Sequence, residues 1–306
     1  MFRKIIPVIF WWGIGLTAYP QLQPLLDQYL LNGMAINPAY AGSHEALTVE
    51  LYARNQWVGF EGAPATLAFS LHTPLRNKRL NLGLLVMNDK IGAKKETGFL
   101  FNYAYRIDLG AGKLSFGLAA GLTNLSTRID MLRYTDPGDA LLVDPGERAL
   151  MPEFSFGLYY YSEKFFTGLS MPMFLKHPFN EATGKYRIGF DPSATNYMLV
   201  AGYLFTLSDK FELLPSMLLK TNPANNTQLD LNCNVVFREK VWLGASIRTN
   251  KNVTLLFQYQ FNRQLRIAYS YGYEFSEMSS YQDGTHEVML RYNFRYVLDV
   301  IGPRYF

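Results

Sequence analysis

Hydrophobic and polar residues alternate one by one along residues 252–275. In the first half of this stretch the apolar residues occupy every second position, and they are Val253, Leu255, Phe257, Tyr259 and Phe261. Because successive side chains of a β-strand point to opposite faces, this period predicts a strand with one polar and one apolar face. The pattern breaks at Arg263 and Gln264 and then resumes, which predicts a β-hairpin with a tight turn. Each arm has about eleven residues, enough for a tilted strand to cross a bilayer, whereas strands of soluble proteins average about five or six.

Runs of the same kind follow one another along most of the chain. We predict fourteen strands, near residues 47–56, 65–74, 80–89, 96–108, 113–123, 153–161, 164–171, 195–207, 210–220, 227–237, 240–249, 252–262, 265–275 and 286–297. The even number is typical of bacterial outer-membrane barrels. Residues 80–87 depart from the pattern because they are apolar on both faces. The sequence therefore predicts an all-β protein, a transmembrane antiparallel barrel of the outer-membrane type.

The connections between the predicted strands alternate in length, which is a second and independent indication. The short connections lie at residues 110–112, 162–163, 208–209, 238–239 and 263–264. The long connections lie between them, at residues 124–152, 172–194, 221–226 and 276–285. Outer-membrane barrels have short periplasmic turns and long extracellular loops, whereas a soluble sandwich has no reason to separate them. This alternation favours the membrane barrel and predicts that both termini are periplasmic.

Composition narrows the class of protein further. Charged residues make up 18% of the chain and aromatic residues 15%, and the mean hydropathy of −0.04 is too polar for a bundle of membrane helices. A barrel fits these values because only every second residue of each strand faces lipid. The net charge of +4 is spread along the chain, so we expect no nucleic-acid surface. The single cysteine, Cys233, excludes a disulfide framework, and its place on the apolar side of a strand predicts a small buried or lipid-facing residue.

The two ends of the chain lie outside the alternating region. Residues 1–18 have a basic start followed by an apolar core, which predicts a secretory signal peptide. Residues 19–46 contain Pro and Gly and show no alternation, so we expect a periplasmic lead-in that caps or plugs one end of the barrel. The barrel itself is predicted over residues 47–297, and residues 298–306 form a short tail.

Candidate chemistry is sparse, and it predicts neither an enzyme nor a cofactor or metal site. The four histidines, His44, His72, His177 and His286, are far apart in sequence without the spacing of metal ligands. Two acidic turns around residues 136–139 and 144–147 offer oxygen atoms for Ca²⁺, although Asp-Pro-Gly is ordinary turn chemistry. Polar residues also recur on the inward faces of strands, where they fill the lumen or line a passage; examples are Glu50, Arg54, Asn102, Arg106, Asp230, Asn232, Arg266, Glu274, Arg291 and Arg295.

A series of motifs in order along the chain resembles the PorP/SprF family of type IX secretion membrane proteins. The motifs lie at residues 27–29, 32, 37–43, 54–64, 72–75, 88–92, 103–107, 136–139 and 286–290, and residues 179–225 match least. The positions that this resemblance marks for structure or partner contact are Asn37, Pro38, Ala39, Tyr40, Ala41, Gly42, Arg54, Gln56, Trp57, Gly59, Asn88, Asp89, Gly92, Asp136 and Asp139.

The resemblance implies a non-enzymatic outer-membrane barrel that helps to secrete or anchor large surface proteins such as gliding adhesins. It implies binding of their C-terminal sorting domain and contact with other secretion components, including periplasmic ones. We expect residues 37–43 and 56–64 to organise the barrel ends, and the loops at 124–152 and 172–194 to contact the exported partner. Two alternatives remain open: a FadL-like channel for small apolar solutes, and a barrel enzyme such as a phospholipase that uses His72 or His286 as its base.

Overall fold

Fourteen long strands form the wall of the protein in a computed structural model, which describes residues 27–128, 148–177, 179–180, 185–193, 195–223, 227–249 and 251–294. Their bounds are β1 Leu47–Asn55, β2 Ala65–Pro74, β3 Leu80–Ile91, β4 Lys94–Leu109, β5 Gly112–Thr127, β6 Arg148–Tyr161, β7 Phe165–Met171, β8 Tyr197–Tyr203, β9 Phe211–Thr221, β10 Gln228–Phe237, β11 Val241–Arg248, β12 Asn252–Gln260, β13 Leu265–Glu274 and β14 Thr285–Phe294. Each begins or ends within a few residues of its predicted position, because alternation is a local property of the sequence.

The sheet closes on itself. Consecutive strands pair antiparallel, and β1 pairs with β14 so that Leu47 lies opposite Phe294 and Asn55 lies opposite His286. β8 in turn pairs with both β7 and β9. Closure gives every strand two neighbours, and an open edge in hydrocarbon would leave backbone groups unpaired at a cost of several kcal/mol each. The predicted fourteen-stranded antiparallel barrel is confirmed.

The wall is uneven in height. β4 and β5 have 16 residues each, whereas β7 and β8 have only 7. The single strand predicted at 195–207 is interrupted at Leu204, and a two-residue strand, Phe205–Thr206, follows it. The signal peptide at 1–18, the end of the last predicted strand at 295–297 and the tail at 298–306 lie outside the described residues.

The connection between β7 and β8 forms a hairpin beyond the barrel wall. Leu175–Lys176 pairs antiparallel with Gly189–Phe190, and Phe179–Asn180 pairs with Lys185–Tyr186. At its base the Phe174 ring packs against Phe156 and Phe190, with ring centroids 4.9 and 5.5 Å apart. These ring contacts join the hairpin to the outer face of β6.

The two faces of the wall differ as the alternation predicts. Along β12 the side chains of Leu255 and Phe257 are exposed on the outside, while Thr254 and Gln258 are buried inside. Cys233 lies exposed on the outer face, among the apolar residues that form it. Outside the strands the described chain has three short 3₁₀ turns, Gly33–Ala35, Pro38–Tyr40 and Glu277–Tyr281. None of the described residues belongs to a helix with the length and apolar character needed to cross a membrane.

Candidate functional site

Residues 27–46 lie inside the barrel, and we term them the plug. Most of their side chains are almost completely buried, including those of Tyr29, Leu31, Met34, Asn37 and Tyr40. The plug packs against inward-facing residues from both sides of the wall, so it forms the core of the protein together with them. The described part of the predicted lead-in, residues 27–46, thus lies in the lumen of the barrel.

The plug runs along the barrel from one rim to the other. Asp27 contacts Arg54 and Arg248, which lie at the ends of β1 and β11 that lead into loops. Glu45 contacts Lys113, at the start of β5 next to a tight turn. We term these ends the long-connection rim and the short-turn rim. The first described residue therefore lies at the long-connection rim, whereas Phe294, the last, lies opposite Leu47 at the other end.

Glu287 holds the beginning of the plug. Its carboxylate accepts hydrogen bonds from the backbone N–H groups of Asp27, at 3.0 Å, and Gln28, at 3.2 Å. The same carboxylate forms an ion pair with Arg54, whose Nε lies 2.9 Å away. Both charged side chains are buried, so neither has water as an alternative partner. The backbone of the plug is therefore tied to the last strand by a charged group.

Arg248 supplies a second attachment at the same level. Its Nη2 lies 2.7 Å from Asp27 Oδ1, and its Nε donates hydrogen bonds to both oxygens of Asp230 at 2.9 Å. A guanidinium that bridges two carboxylates offsets their mutual repulsion and satisfies several donors at once. Asp230 was predicted as an inward polar residue, and the structure shows that it fills the lumen in a paired form.

Arg291 binds the middle of the plug. Its Nε donates to Glu50 Oε1 at 2.7 Å, and its Nη2 donates to the carbonyl oxygen of Leu31 and, at 3.4 Å, to the Tyr40 hydroxyl. Glu50 also accepts a 2.7 Å hydrogen bond from Ser70. Because Glu50 and Arg291 face each other across the β1–β14 seam, the plug is fastened where the barrel closes.

On the opposite wall the plug rests on glycines instead of charges. Asn37 caps the turn Pro38–Tyr40 by accepting a hydrogen bond from the Ala39 N–H, and it donates to the carbonyls of Leu158 and Leu169. A Cβ atom on the wall glycines below would overlap atoms of this turn, and these glycines are Gly117, Gly157 and Gly168. Only glycine lets the wall backbone approach the plug this closely.

The last part of the plug depends on a glycine of its own. Gly42 has a φ of +75°, and a side chain there would overlap Asn81. Its N–H donates to His72 Nδ1 at 3.1 Å, and its carbonyl accepts from Arg106 Nη2 at 2.5 Å. The family-motif positions 37–42 are thus explained by the fit of the plug: a cap, a turn, and a left-handed residue held by three wall side chains.

His44 and His72 meet inside the barrel, although they are far apart in sequence. Their rings stack with centroids 5.7 Å apart, and ligand atoms of His44, Glu50 and His72 all lie within 4.8 Å of one another. The group is already engaged, since His44 Nε2 lies 2.9 Å from the Tyr40 hydroxyl and Glu50 is bound by Arg291. An arginine next to the two rings suits a hydrogen-bonded part of the core better than a cation site.

The motif at residues 54–64 lies at the long-connection rim. Arg54 hydrogen-bonds Gln56 at 3.0 Å, and the Trp57 indole N–H donates to Glu274 at 2.9 Å. The backbone around Gly59 has a φ of +90° and lies against Asp283 of the loop before β14. This connection therefore lies across the seam between the first and last strands. That residues 56–64 organise this barrel end stays a prediction.

The remaining motif positions are also at this rim. Gly92, with a φ of +56°, donates its N–H to the carbonyl of Gly62, and the Asn88 side chain donates to Thr97 at 2.7 Å. Asp89 accepts from Thr66 at 2.5 Å. Asp136 and Asp139, and with them the acidic turns considered for Ca²⁺, lie outside the described residues.

Reasoning from the sequence missed two sets of residues that contact the plug. The wall glycines 117, 157 and 168 all occupy inward positions of alternating strands, where an isolated glycine indicates a close backbone approach. These glycines could have indicated that another segment packs closely against the wall, but not which segment. His72 and Asn81 looked like ordinary inward polar residues, and only the path of the plug brings them together with Gly42.

Comparison with known proteins agrees with this architecture. The model of the family described as type IX secretion system membrane protein PorP/SprF matches residues 18–292. Among solved structures, the CymD monoaromatic hydrocarbon channel is similar with a TM-score of 0.51 and 14% identity, over 87% of this chain and 93% of that one. The outer membrane protein Omp33 of Acinetobacter baumannii has a TM-score of 0.46 and 7% identity, over 82% of this chain and 99% of that one. A search of curated proteins finds no match. At these identities the structural likeness shows the barrel fold alone.

Proposed function

The chain belongs to the family of type IX secretion system membrane proteins PorP/SprF, and from this membership we propose that it is an outer-membrane anchor for an exported protein. The family and the fold are those of a membrane secretion or channel protein and not those of an enzyme. The family also implies contact with other components of the secretion machinery. The finer proposal is that the barrel binds the C-terminal sorting domain of the exported protein at one of its rims.

The observation that carries this proposal is the plug. A conduit for a large protein needs an open lumen, but here residues 27–46 occupy it. They are held by the buried ion pairs of Asp27 with Arg248 and Arg54 and by the backbone hydrogen bonds that Glu287 accepts. Breaking one buried ion pair typically costs about 3–5 kcal/mol, so the plug is expensive to displace. This supports a role in which the exported protein docks on the barrel and does not pass through it.

The hairpin between β7 and β8 is the docking surface that we favour. It extends beyond the wall, and it exposes the apolar side chains of Ile188 and Phe190, which are 62% and 57% accessible. Exposed apolar side chains beyond the barrel wall are typical of protein interaction sites. From the loop lengths we predict that this rim faces the outside of the cell. The predicted periplasmic position of both termini stays a prediction, because both termini lie outside the described residues. Within those residues the chain begins at this rim, with Asp27, and ends at the other, with Phe294.

Co-purification tests this proposal. The tagged full-length protein is isolated from the native membrane, and the C-terminal domain of a secreted protein is expected to accompany it. Ile188→Glu should abolish this association and leave the barrel folded. Leu207→Glu is the matched control, because Leu207 is 63% exposed but lies at the short-turn rim. Equal recovery of the partner with Ile188→Glu and with the unchanged protein would refute the docking surface.

The solute-channel alternative makes a different prediction. A channel would conduct or take up solute in liposomes without any exported protein. The seated plug argues against an open path, so we expect conductance close to that of protein-free membranes. High conductance of the unchanged protein would favour the channel.

A further inference from the structure

One sector of the lumen wall is apolar where the rest is polar. Most inward positions of β10 to β14 carry polar or charged side chains, although Val236, Trp242 and Met289 also face inward there. In contrast, β3, β4, β8 and β9 direct apolar side chains into the lumen, and these are Leu85, Met87, Leu100, Met198 and Leu218. This sector explains why residues 80–87 are apolar on both faces: one face meets lipid, and the other meets a cavity.

The apolar sector surrounds a cavity between the plug and the long-connection rim, which we term the cup. Its volume is about 90 Å³, several times what a single water molecule needs. Met34, Ala35 and Ile36 of the plug form its floor. The cup therefore ends on the plug.

The lining leaves this space unfilled in two ways. Gly98 and Ala119 take up little volume, and a Cβ atom at Gly98 would meet only the Thr123 hydroxyl, at 3.3 Å. Methionines from four separate segments supply most of the remaining contact surface, and they are Met34, Met87, Met173 and Met198. Methionine side chains are flexible and polarisable, so they adapt to apolar ligands of different shape.

The charged groups of the cup lie around its mouth and carry both signs, whereas the uncharged polar residues Asn102, Thr123 and Ser155 lie within its lining. Asp89 and Glu96 are on one side, with Lys220 and Gln228 on the other. The acidic groups are already engaged: Asp89 accepts from Thr66, and Glu96 pairs with Lys94 at 2.7 Å. A charged ligand that entered the cup would exchange water for a largely apolar lining, which disfavours it.

We propose that the cup binds a small uncharged apolar molecule, which reaches it from the long-connection rim. The apolar walls, the adaptable methionines and the absence of charge from the described deep lining all select such a ligand. This site is independent of the docking proposal above. Either can fail without affecting the other, because docking is tested at Ile188 outside the barrel.

Photolabelling tests the cup in the full-length protein held in lipid nanodiscs. The probe is an uncharged trifluoromethyl-phenyl diazirine, and the labelled residues are located by mass spectrometry. We expect labelling of Met87, Leu100 or Met198 that saturates with probe concentration and is lost in the presence of excess dodecanol. Sodium dodecyl sulfate at the same concentration, below its micelle threshold, should compete less well because its headgroup is charged. Labelling confined to the outer face, or cup labelling that never saturates, would overturn the proposal.

Variants that fill the cup separate specific binding from lipid partition. Gly98→Phe places a ring inside the cavity and should abolish labelling of the cup while labelling of the outer face persists. Ala119→Leu is a smaller second variant in case the first does not fold, and heat-modifiable mobility on gels reports folding of each. Ala53→Phe is the control, because it adds the same ring to the outer face of β1 and should leave cup labelling unchanged. Full cup labelling in a folded Gly98→Phe or Ala119→Leu protein would contradict the assignment.

Discussion

The two sides of the lumen hold the same plug by different means. On the charged wall, formed by β10 to β14 and β1, the plug is bound by Arg248, Glu287 and Arg291. On the glycine wall, formed by β5 to β7, it packs directly against the backbone at Gly117, Gly157 and Gly168. The first interaction selects by charge and the second by shape. A foreign segment would therefore need both the acidic start and the compact turn of this plug to replace it.

The difference predicts how each wall fails. Removing one partner of a buried ion pair leaves the other charge without compensation, at a cost of about 3–5 kcal/mol. Adding a side chain at a glycine that is already in close contact with the plug costs about 1–3 kcal/mol because neighbouring groups are displaced, and more where the backbone itself must move. Four substitutions test this comparison, from the largest expected effect to the smallest.

Glu287→Ala should have the largest effect. It leaves Arg54 with only the longer 3.9 Å contact to Asp27 and removes the acceptor for the Asp27 and Gln28 N–H groups, so we expect about 3–5 kcal/mol of destabilisation. Urea unfolding in lipid vesicles measures the loss, and hydrogen exchange of residues 27–46 locates it. Asp27→Asn is the matched control, because Arg248 keeps its two hydrogen bonds to Asp230 and Glu287 loses a like charge. An equal loss of unfolding free energy in both variants would show that Glu287 has no special part in holding the plug.

Gly117→Val should displace the plug from the glycine wall, with a loss of about 3 kcal/mol, because its Cβ would overlap the backbone of Ala39. Unseating should also raise ion conductance in planar bilayers. Gly98→Ala serves for comparison, since it adds a methyl group to an inward position that does not touch the plug. Unchanged conductance and stability in Gly117→Val would mean that shape plays no part in holding the plug.

Arg291→Lys keeps the positive charge and removes the fork that reaches Glu50, the Leu31 carbonyl and the Tyr40 hydroxyl together. We expect a loss of about 1.5–2 kcal/mol, smaller than for Glu287→Ala because the carboxylate retains a cation nearby. Exchange protection should fall for the amides around Leu31 and remain at Asn37. A loss as large as that of Glu287→Ala would show that geometry matters more than charge on this wall.

Met87→Leu should have the smallest effect. The substitution conserves volume at the edge of the cup, where the plug contributes only the floor, so we expect less than about 1.5 kcal/mol. Exchange of residues 27–46 should be unaffected. Clearly faster hydrogen exchange of the plug in this variant would show that the cup and the plug are energetically coupled.

The wall of this protein could be predicted from its sequence, whereas its interior could not. Alternation in β12 and β13 depends on neighbours two residues apart, so the strand bounds were visible without tertiary information. The attachment of Asp27 to Glu287 joins residues 260 positions apart. Nothing local to either residue indicates that contact. Similarly, Gly117 indicates a close approach, but the identity of the approaching turn depends on the whole path of the plug.

The same limit applies to the histidines and to the apolar strand β3. Spacing in sequence gave no reason to bring His44 and His72 together, and the structure stacks their rings. Residues 80–87 broke the alternation because an apolar cavity replaces the polar lumen beside them. The break in the alternation thus marked the strand that has lipid on one face and the apolar cup on the other.

The attachment of the plug to the last strand also sets an order for assembly. Glu287 and Arg291 belong to β14, the final strand of the barrel, and both bind the segment that precedes the first strand. A chain whose wall is still incomplete has no partner for Asp27 or the Leu31 carbonyl, so this pairing of distant segments comes late. Protection of the first residues of the plug would therefore report that the seam between β1 and β14 has closed.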